Sequence, residues 1–313
     1  MRVRLAAVTA ALLLTGAACG DDADSEAPTV APYLDIVSGT ADVTAIHDKT
    51  GQASFTAAFV VADDSGACTP TWGGDTALDD DSVKAEIAKI HAIGGQLIVA
   101  TGGESGTYLE NACAAPELAT AYEKALDAAG SNHLDVDIEQ DVTPATATAA
   151  LAAVQKARGT AVTLTLPVDG TDVGLPDPAI ALLTSAKAAG VDVTVNAMTM
   201  NFTATGDWGK AMTVATEAVK EDVARVWPDK PDDQLYAMLG VTPMIGANDT
   251  GPATTLADAR TLLAWAEQKG LGFVRFWSVN RDNGGCADRT VSDTCSGIGQ
   301  DDYAFTALFK TFR

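Results

Sequence analysis

Three carboxylates alternate with aliphatic residues in the stretch HLDVDIEQD, residues 133–141. Successive side chains of a β-strand point to opposite faces, so Asp135, Asp137 and Glu139 should lie on one face. Residues two apart on a strand are roughly 6 to 7 Å apart, at a rise of about 3.3 Å per residue. Three anions at this spacing repel each other, and folding does not require them. Because carboxyl groups serve as general acids and bases, the row is a candidate for proton-transfer chemistry.

Short apolar runs alternate with helical patterns along the rest of the chain. The apolar runs are YLDIV (33–37), SFTAAFVVA (54–62), QLIVATGG (96–103), LDVDIE (134–139), AVTLTLPV (161–168), VTVNAMTM (193–200), LYAMLGVTP (235–243) and FVRFWSV (273–279). Helix-like segments separate them, several with a capping residue or Pro at the start and Gly at the end. The weakest of these helical patterns is the first, TADVTAIHDKTG (40–51).

Eight strand–helix units in one chain predict a (β/α)₈ barrel of the TIM type, a single catalytic domain over residues 32–313. The alternative is an open doubly wound sheet, but no GxGxxG follows the first strand to indicate a dinucleotide site. Active sites of such barrels lie at the carboxyl ends of the strands. We therefore expect Glu139 at the mouth of the barrel, with Asp137 and Asp135 below it.

The chain is strongly acidic. Its 313 residues include 42 acidic and 20 basic ones, which gives a formal net charge of −22, and 47% of the residues are apolar. The apolar fraction is ample for a large core. The charge would repel nucleic acid and anionic lipid headgroups, so we expect no nucleic-acid partner. A neutral polymer is compatible with it.

The N-terminus has the pattern of an export signal. Two arginines precede the apolar run 5–14, and small residues follow it; the run is too short to span a membrane. Cys19 stands where a bacterial lipoprotein carries its acylated cysteine, and a polar tether, residues 19–31, begins there. We expect residues 1–18 to be a signal peptide and Cys19 to be lipidated, which would place the protein at the cell surface. Ordinary cleavage and full secretion is the alternative.

The cysteine count fits this interpretation. Of five cysteines, four remain if Cys19 is lipidated, and an even number in an exported protein indicates disulfides. Cys286 and Cys295 flank a short loop and are natural partners, so Cys68 and Cys113 pair by elimination. No CxxC motif or His/Cys cluster indicates a metal site.

The motifs at the predicted strand ends resemble glycoside hydrolase family 18, the chitinases and their relatives. LDVDIE resembles the family's DGxDxDxE signature. Four further stretches are similar to family motifs in the right order along the chain: ATGGESG, NAMTMNF, GVTPMIGAND and FWSVNRDN. The last two are similar to a bacterial and archaeal branch typified by the Pyrococcus chitinase catalytic domain. The resemblance covers nearly all of residues 32–313.

The resemblance implies retaining hydrolysis in which the substrate supplies the nucleophile, an exception among glycosidases. Glu139 would be the general acid and then the base, kept protonated near neutral pH by neighbouring carboxylates. Asp137 would hold the acetamido group and stabilise the oxazolinium ion, and Asp135 would share a proton with Asp137. The expected substrate is chitin or chito-oligosaccharide, and no cofactor is expected.

Substrate contacts are implied at the other motif positions. Trp277 would floor the pocket, because aromatic rings stack on the apolar face of a sugar. The further contacts would come from Gly102, Gly103, Met200, Asn201, Met244 and Asn280. Asn201 and Phe202 stand where the related motif MTMDY has Asp and Tyr, which leaves the rate and pH optimum open. Trp72 and Trp208 lie in predicted mouth loops and would either line further subsites or pack against the fold.

Two other functions stay open on the sequence alone. An endo-β-N-acetylglucosaminidase that cuts N-glycan cores would use the same acidic residues with different loops. A sugar-binding protein on this barrel would not turn over substrate, but such family members usually lack the acidic Glu or the second Asp. Both residues are present here, so we expect an enzyme of chitin degradation. We also expect the protein to be a monomer.

Overall fold

The computed structural model describes residues 27–313, so the expected signal peptide and Cys19 lie outside the described residues. The strands within this range are β1 (Tyr33–Asp35), β2 (Phe55–Ala62), β3 (Pro70–Trp72), β4 (Thr76–Ala77), β5 (Leu97–Gly102), β6 (His133–Asp137), β7 (Ala161–Pro167), β8 (Val193–Met198), β9 (Leu239–Val241) and β10 (Phe273–Val274). The helices are α1 (Val43–Thr50), α2 (Asp81–Ala92), α3 (Leu109–Ala112), α4 (Ala115–Ala129), α5 (Pro144–Arg158), α6 (Asp177–Ala188), α7 (Trp208–Val226), α8 (Asp232–Ala237), α9 (Leu256–Lys269) and α10 (Ala304–Phe309).

Eight of the described strands form a parallel barrel. β1 pairs with β2, and from β2 the order continues through β5, β6, β7, β8, β9 and β10. The barrel closes where the Tyr33 amide donates to the Phe276 carbonyl at 3.1 Å and Val30 bridges to Val274. The predicted (β/α)₈ barrel is confirmed, and the weakly patterned first helix is present as α1.

Three stretches differ from the sequence prediction. The run 235–243 was predicted as one strand, but its first residues belong to α8 and only β9 pairs in the sheet. Leu235 and Tyr236 are buried as residues of that helix, so their apolar character does not indicate a strand. The predicted last strand pairs regularly only over β10, and beyond it Trp277 forms an isolated bridge to Met244. An unpredicted hairpin, β3–β4, extends β2 in the antiparallel direction.

Strand β6 shows how the sequence divides inside from outside. Leu134 and Val136 are fully buried in the hydrophobic core cluster that the barrel strands share with the helices. The alternate residues Asp135 and Asp137 pair in register with Ala100 and Gly102 of β5 and point into the barrel. The period of two in this strand therefore puts the acidic row inside the barrel, as predicted.

Both predicted disulfides are present in the described structure. Cys68 is bonded to Cys113, which ties the segment between β2 and β3 to the end of α3. Cys286 is bonded to Cys295 and closes a loop that follows β10. Among residues 27–313, none of the helices is long and apolar enough to cross a bilayer.

Candidate active site

A cavity of about 220 Å³ opens at the carboxyl ends of the barrel strands. It is lined by Tyr33, Phe59, Glu104, Asp137, Glu139, Thr165, Met198, Met200, Asn201, Thr242, Met244, Asp249, Thr250, Trp277 and Asp293. These residues come from loops and strand ends on most sides of the barrel. Their position matches the place where barrels of this type carry their active sites.

Asp135, the lowest member of the acidic row, is held by three donors. The Tyr33 hydroxyl donates to Asp135 Oδ2 at 2.6 Å, and the Thr165 hydroxyl donates to Oδ1 at 2.6 Å. Arg275 forms an ion pair with Oδ2 at 3.0 Å, and both members of this pair are almost completely buried. These bonds give each oxygen of Asp135 at least one donor, and the proton sharing expected with Asp137 stays a prediction.

Asp137 lies one step higher and differs in its bonding. It is 3% exposed, and its Oδ1 atom is buried without a hydrogen-bond partner among the described residues. Burial, with Glu139 and Asp135 nearby, raises the pKa of Asp137 well above its ordinary range, and Arg275 opposes this only in part. The same surroundings favour the protonated form of Asp137, which lines the cavity with an Oδ1 atom that has no hydrogen-bond partner among the described residues.

Glu139 lies two residues beyond Asp137, the last paired residue of β6, and lines the rim of the cavity. Water reaches its carboxyl group through the mouth, but the surrounding walls displace much of its hydration. This desolvation, together with the negative charges of Glu104 and Asp249, raises the pKa of Glu139 to about 7. A carboxyl group with this pKa can both donate and accept a proton near neutral pH.

The floor of the cavity is aromatic. The ring of Trp277 stacks on that of Phe59 with centroids 5.5 Å apart and an interplanar angle of 17°. The Tyr33 ring lies 5.9 Å from Trp277 and 6.0 Å from Phe59. Trp277 and Phe59 are partly exposed, so they present apolar surface to the cavity. Met200 and Met244, predicted as contacts, line the wall beside this floor.

Gly102 and Gly103 lie behind the cavity wall and determine how closely its parts approach. A Cβ atom on Gly102 would lie 1.9 Å from the Asp137 carbonyl oxygen, and its φ of +87° favours glycine. A Cβ atom on Gly103 would lie 2.8 Å from the ring of Phe59. Both glycines therefore position Asp137 and Phe59, which line the cavity themselves.

Asn201 lines the cavity, but its side chain is engaged with a neighbouring loop. Its Oδ1 accepts from the amides of Asp249 and Thr250 at 2.9 and 3.3 Å, and its Nδ2 donates to Asp249 at 2.9 Å. Phe202 turns away from the cavity and packs on Trp208, with centroids 4.7 Å apart. The amide that replaces the related motif's Asp thus joins two mouth loops.

Asn280 and two of the tryptophans are placed away from the cavity lining. The side chain of Asn280 is buried, where it accepts from the Asp35 amide at 2.9 Å and donates to Ser38 at 3.0 Å. Trp72 and Trp208 are buried at 0% and 4% exposure. Of the two roles considered for these tryptophans, the structure shows packing.

Several functional residues escaped the sequence prediction. Tyr33, Thr165 and Arg275 hold Asp135, and Glu104 and Asp249 act on Glu139. One signal was available for Arg275, because a cation inside the apolar run FVRFWSV requires a buried partner. The two rim acids lie in loops whose approach to Glu139 depends on the closed barrel.

Comparison with known proteins shows that the chain is similar to chitinases. It is 31% identical to the catalytic domain of the hyperthermophilic chitinase from Pyrococcus furiosus, with a TM-score of 0.84 over 92% of this chain and 96% of that one. Active domain 2 of the thermostable chitinase from the same organism, as catalytic-site mutants complexed with chito-oligosaccharides, gives the same TM-score and identity. A fungal endo-β-N-acetylglucosaminidase of glycosyl hydrolase family 18 is 15% identical with a TM-score of 0.56, which shows the shared fold alone.

Two curated relatives extend the comparison. The chain is 30% identical over 309 residues to a probable bifunctional chitinase/lysozyme of Escherichia coli and 30% identical over 277 residues to endochitinase 11 of Metarhizium anisopliae. It covers 90% and 80% of its own length in these matches but only 34% and 52% of theirs. The chain thus spans about half or less of the curated relatives it matches. No protein-family model matches the sequence.

Proposed function

The chain belongs to glycoside hydrolase family 18, and we propose that it is a chitinase that hydrolyses β-1,4 linkages between N-acetylglucosamine units with retention of configuration. The proposal rests on the two carboxyl groups of Asp137 and Glu139 and on the aromatic rings that line the same cavity. Among the described residues the buried Asp137 Oδ1 atom has no hydrogen-bond partner, and it lines the same cavity as Glu139, whose pKa is about 7, and the stacked rings of Trp277 and Phe59. This combination suits a sugar that carries an N-acetyl group and whose glycosidic bond must be protonated before it breaks.

In the first step Glu139 donates its proton to the glycosidic oxygen, and the bond from that oxygen to the anomeric carbon breaks. The acetamido oxygen of the same sugar attacks the anomeric carbon and forms an oxazolinium ion. Asp137 Oδ1, which has no protein partner among the described residues, accepts the acetamido N–H. Trp277 and Phe59 support the apolar face of the ring.

Asp137 and Glu139 together account for the protons that the two steps release and take up. The oxazolinium charge favours the ionised form of Asp137, and Glu139, which has just lost its proton, is the adjacent acceptor. In the second step water attacks the anomeric carbon from the face that the leaving group occupied. One proton of that water returns to the pair, so both carboxyl groups are protonated again and the configuration is retained.

The experiment is hydrolysis of chitohexaose, with the products read by mass spectrometry. Wild-type protein should release shorter N-acetylglucosamine oligomers, and Glu139→Gln should release almost none. A glycopeptide with an intact N-glycan core, offered separately, tests the endo-β-N-acetylglucosaminidase alternative. Cleavage of the glycopeptide without cleavage of chitohexaose would replace the proposed substrate, and tight binding without cleavage of either would indicate a lectin.

We also propose that the protein is exported and anchored by a lipid on Cys19, and that it acts as a monomer. The support is the export-signal pattern of residues 1–18, together with the two disulfides, which persist in oxidising compartments. The protein should partition with membranes, and Cys19→Ala should release it into the medium. Wild-type protein free in the culture fluid would contradict the anchor.

A further inference from the structure

The phenol of Tyr108 joins the ends of two neighbouring barrel strands below Glu139. Tyr108 is completely buried. Its hydroxyl donates to the carbonyl oxygen of Gly103, just beyond β5, at 2.5 Å. The same hydroxyl accepts a hydrogen bond from the backbone N–H of Glu139 at 2.9 Å. One side-chain atom therefore links the two strand ends.

This hydrogen-bonded link lies just beyond the end of the regular strand pairing of β6. The pairing of β6 in register with β7 ends at Asp137, and the Ile138 amide still donates to the Thr165 carbonyl at 2.9 Å. The next amide, that of Glu139, donates to the Tyr108 hydroxyl instead. The phenol thus supplies the acceptor that a neighbouring strand supplies lower in the barrel.

The segment that carries Tyr108 is itself anchored. Two residues further on, the buried carboxylate of Glu110 accepts from the hydroxyl groups of Thr101 at 2.8 Å and Tyr122 at 2.6 Å. The segment ends at Cys113, which is bonded to Cys68. Burial and the nearby acidic groups raise the pKa of Tyr108 above its usual range, so the phenol stays a neutral donor and acceptor. Its hydroxyl is therefore held at a fixed point against the Glu139 backbone.

We propose that Tyr108 is a positioning residue, whose phenol fixes the Glu139 backbone so that the carboxyl group meets the glycosidic oxygen. This role rests on the proposed function of Glu139 as the acid. Tyr108 contacts the backbone of Glu139 rather than the substrate, so it affects turnover through alignment. Small displacements of a catalytic group are costly, since about 1 Å can reduce a rate 10²-fold.

The test compares Tyr108→Phe with a matched control, Tyr236→Phe. Both variants lose one phenolic hydroxyl from a buried ring, but the Tyr236 hydroxyl donates to Glu217, outside the segment that holds Tyr108. With chito-oligosaccharides, Tyr108→Phe should lower kcat about 10-fold, by this alignment argument, with little change in KM, and should displace the alkaline limb of the rate–pH profile. Tyr236→Phe should keep the wild-type kcat and pH profile.

Hydrogen exchange of the Glu139 amide, followed by NMR, gives a readout that needs no substrate. Exchange should accelerate in Tyr108→Phe and not in Tyr236→Phe. Equal kcat values and pH profiles for the two variants, with unchanged exchange at Glu139, would overturn the proposal. If wild-type protein cleaved no chito-oligosaccharide, the proposed function would fail, and the exchange experiment would still decide whether Tyr108 holds Glu139.

Discussion

The lower and upper ends of the acidic row differ in how their oxygens are bonded. Asp135, at the lower end, is held by Tyr33, Thr165 and Arg275, so its charge is compensated within the protein. At the upper end, Asp137 Oδ1 has no hydrogen-bond partner among the described residues, and Glu139 lines the open cavity. A row of like charges is less costly when one member pairs with a cation and the pKa values of the others are raised, because fewer of the groups are then ionised. The upper carboxyl groups are thereby left free for a ligand.

The largest effect should come from Glu139→Gln at the upper end. The amide keeps the size of the side chain but cannot donate a proton as a carboxylic acid does. General acid catalysis contributes about 10² to 10⁴ in rate, so kcat on chito-oligosaccharides should fall by at least about 10². Affinity, measured by calorimetry, should remain. Glu104→Gln is the matched control, because that acid also lines the cavity, and it should keep most of the activity.

Asp137→Asn should be nearly as damaging for a different reason. The oxazolinium ion loses its counter-charge, and removal of one such stabilising group typically reduces kcat about 10² to 10³-fold. Added azide should restore little activity, because the nucleophile belongs to the substrate. Strong azide rescue that yields the α-glycosyl azide, read by NMR, would indicate that a protein carboxylate had been the nucleophile.

At the lower end the expected loss is in stability. Asp135→Asn leaves the Arg275 guanidinium buried without its counter-ion, and breaking a buried pair in this way costs about 3 to 5 kcal/mol. Urea titration should show this loss in the free energy of unfolding. The double variant Asp135→Asn with Arg275→Met should recover part of it, because the uncompensated charge is gone. If the double variant were no more stable than Asp135→Asn, loss of the ion pair would not explain the fall in the free energy of unfolding.

The smallest effect should come from the acids at the rim. Glu139 must be protonated to act as the acid, so with its pKa of about 7 the rate should fall as pH rises through about 7. Asp249→Asn removes a charge that raises this pKa, so the alkaline limb should move to lower pH. The shift should shrink in 1 M salt, where charges are screened within about 3 Å. Asp229→Asn, an exposed acid outside the cavity lining, should leave the profile unchanged.

The sequence predicted the barrel and the position of the acidic row because both follow from local periodicity. Alternation in HLDVDIEQD determines which side chains face inward, and the apolar runs determine the strands. The donors to Asp135 could not be predicted in the same way. Tyr33 lies on β1, Thr165 lies on β7 and Arg275 directly follows β10, and the register of the closed barrel brings these distant parts of the chain together.

The mouth loops were still less predictable. Asn201 adopts a φ of 60° and bonds to Asp249 across 48 positions of sequence. No local pattern indicates that its amide serves a loop–loop contact. The apolar residues of the run 235–243 were equally ambiguous, because a short apolar run suits a buried strand and a buried helix alike.

The anomer that wild-type protein first releases from chitotetraose tests the central claim most directly. Proton NMR during the first minutes, before mutarotation, distinguishes the two anomers. Substrate assistance by the acetamido group, with Glu139 as acid and Asp137 as counter-charge, predicts that the β-anomer appears first. Initial release of the α-anomer would mean direct attack by water from the opposite face and would contradict the account.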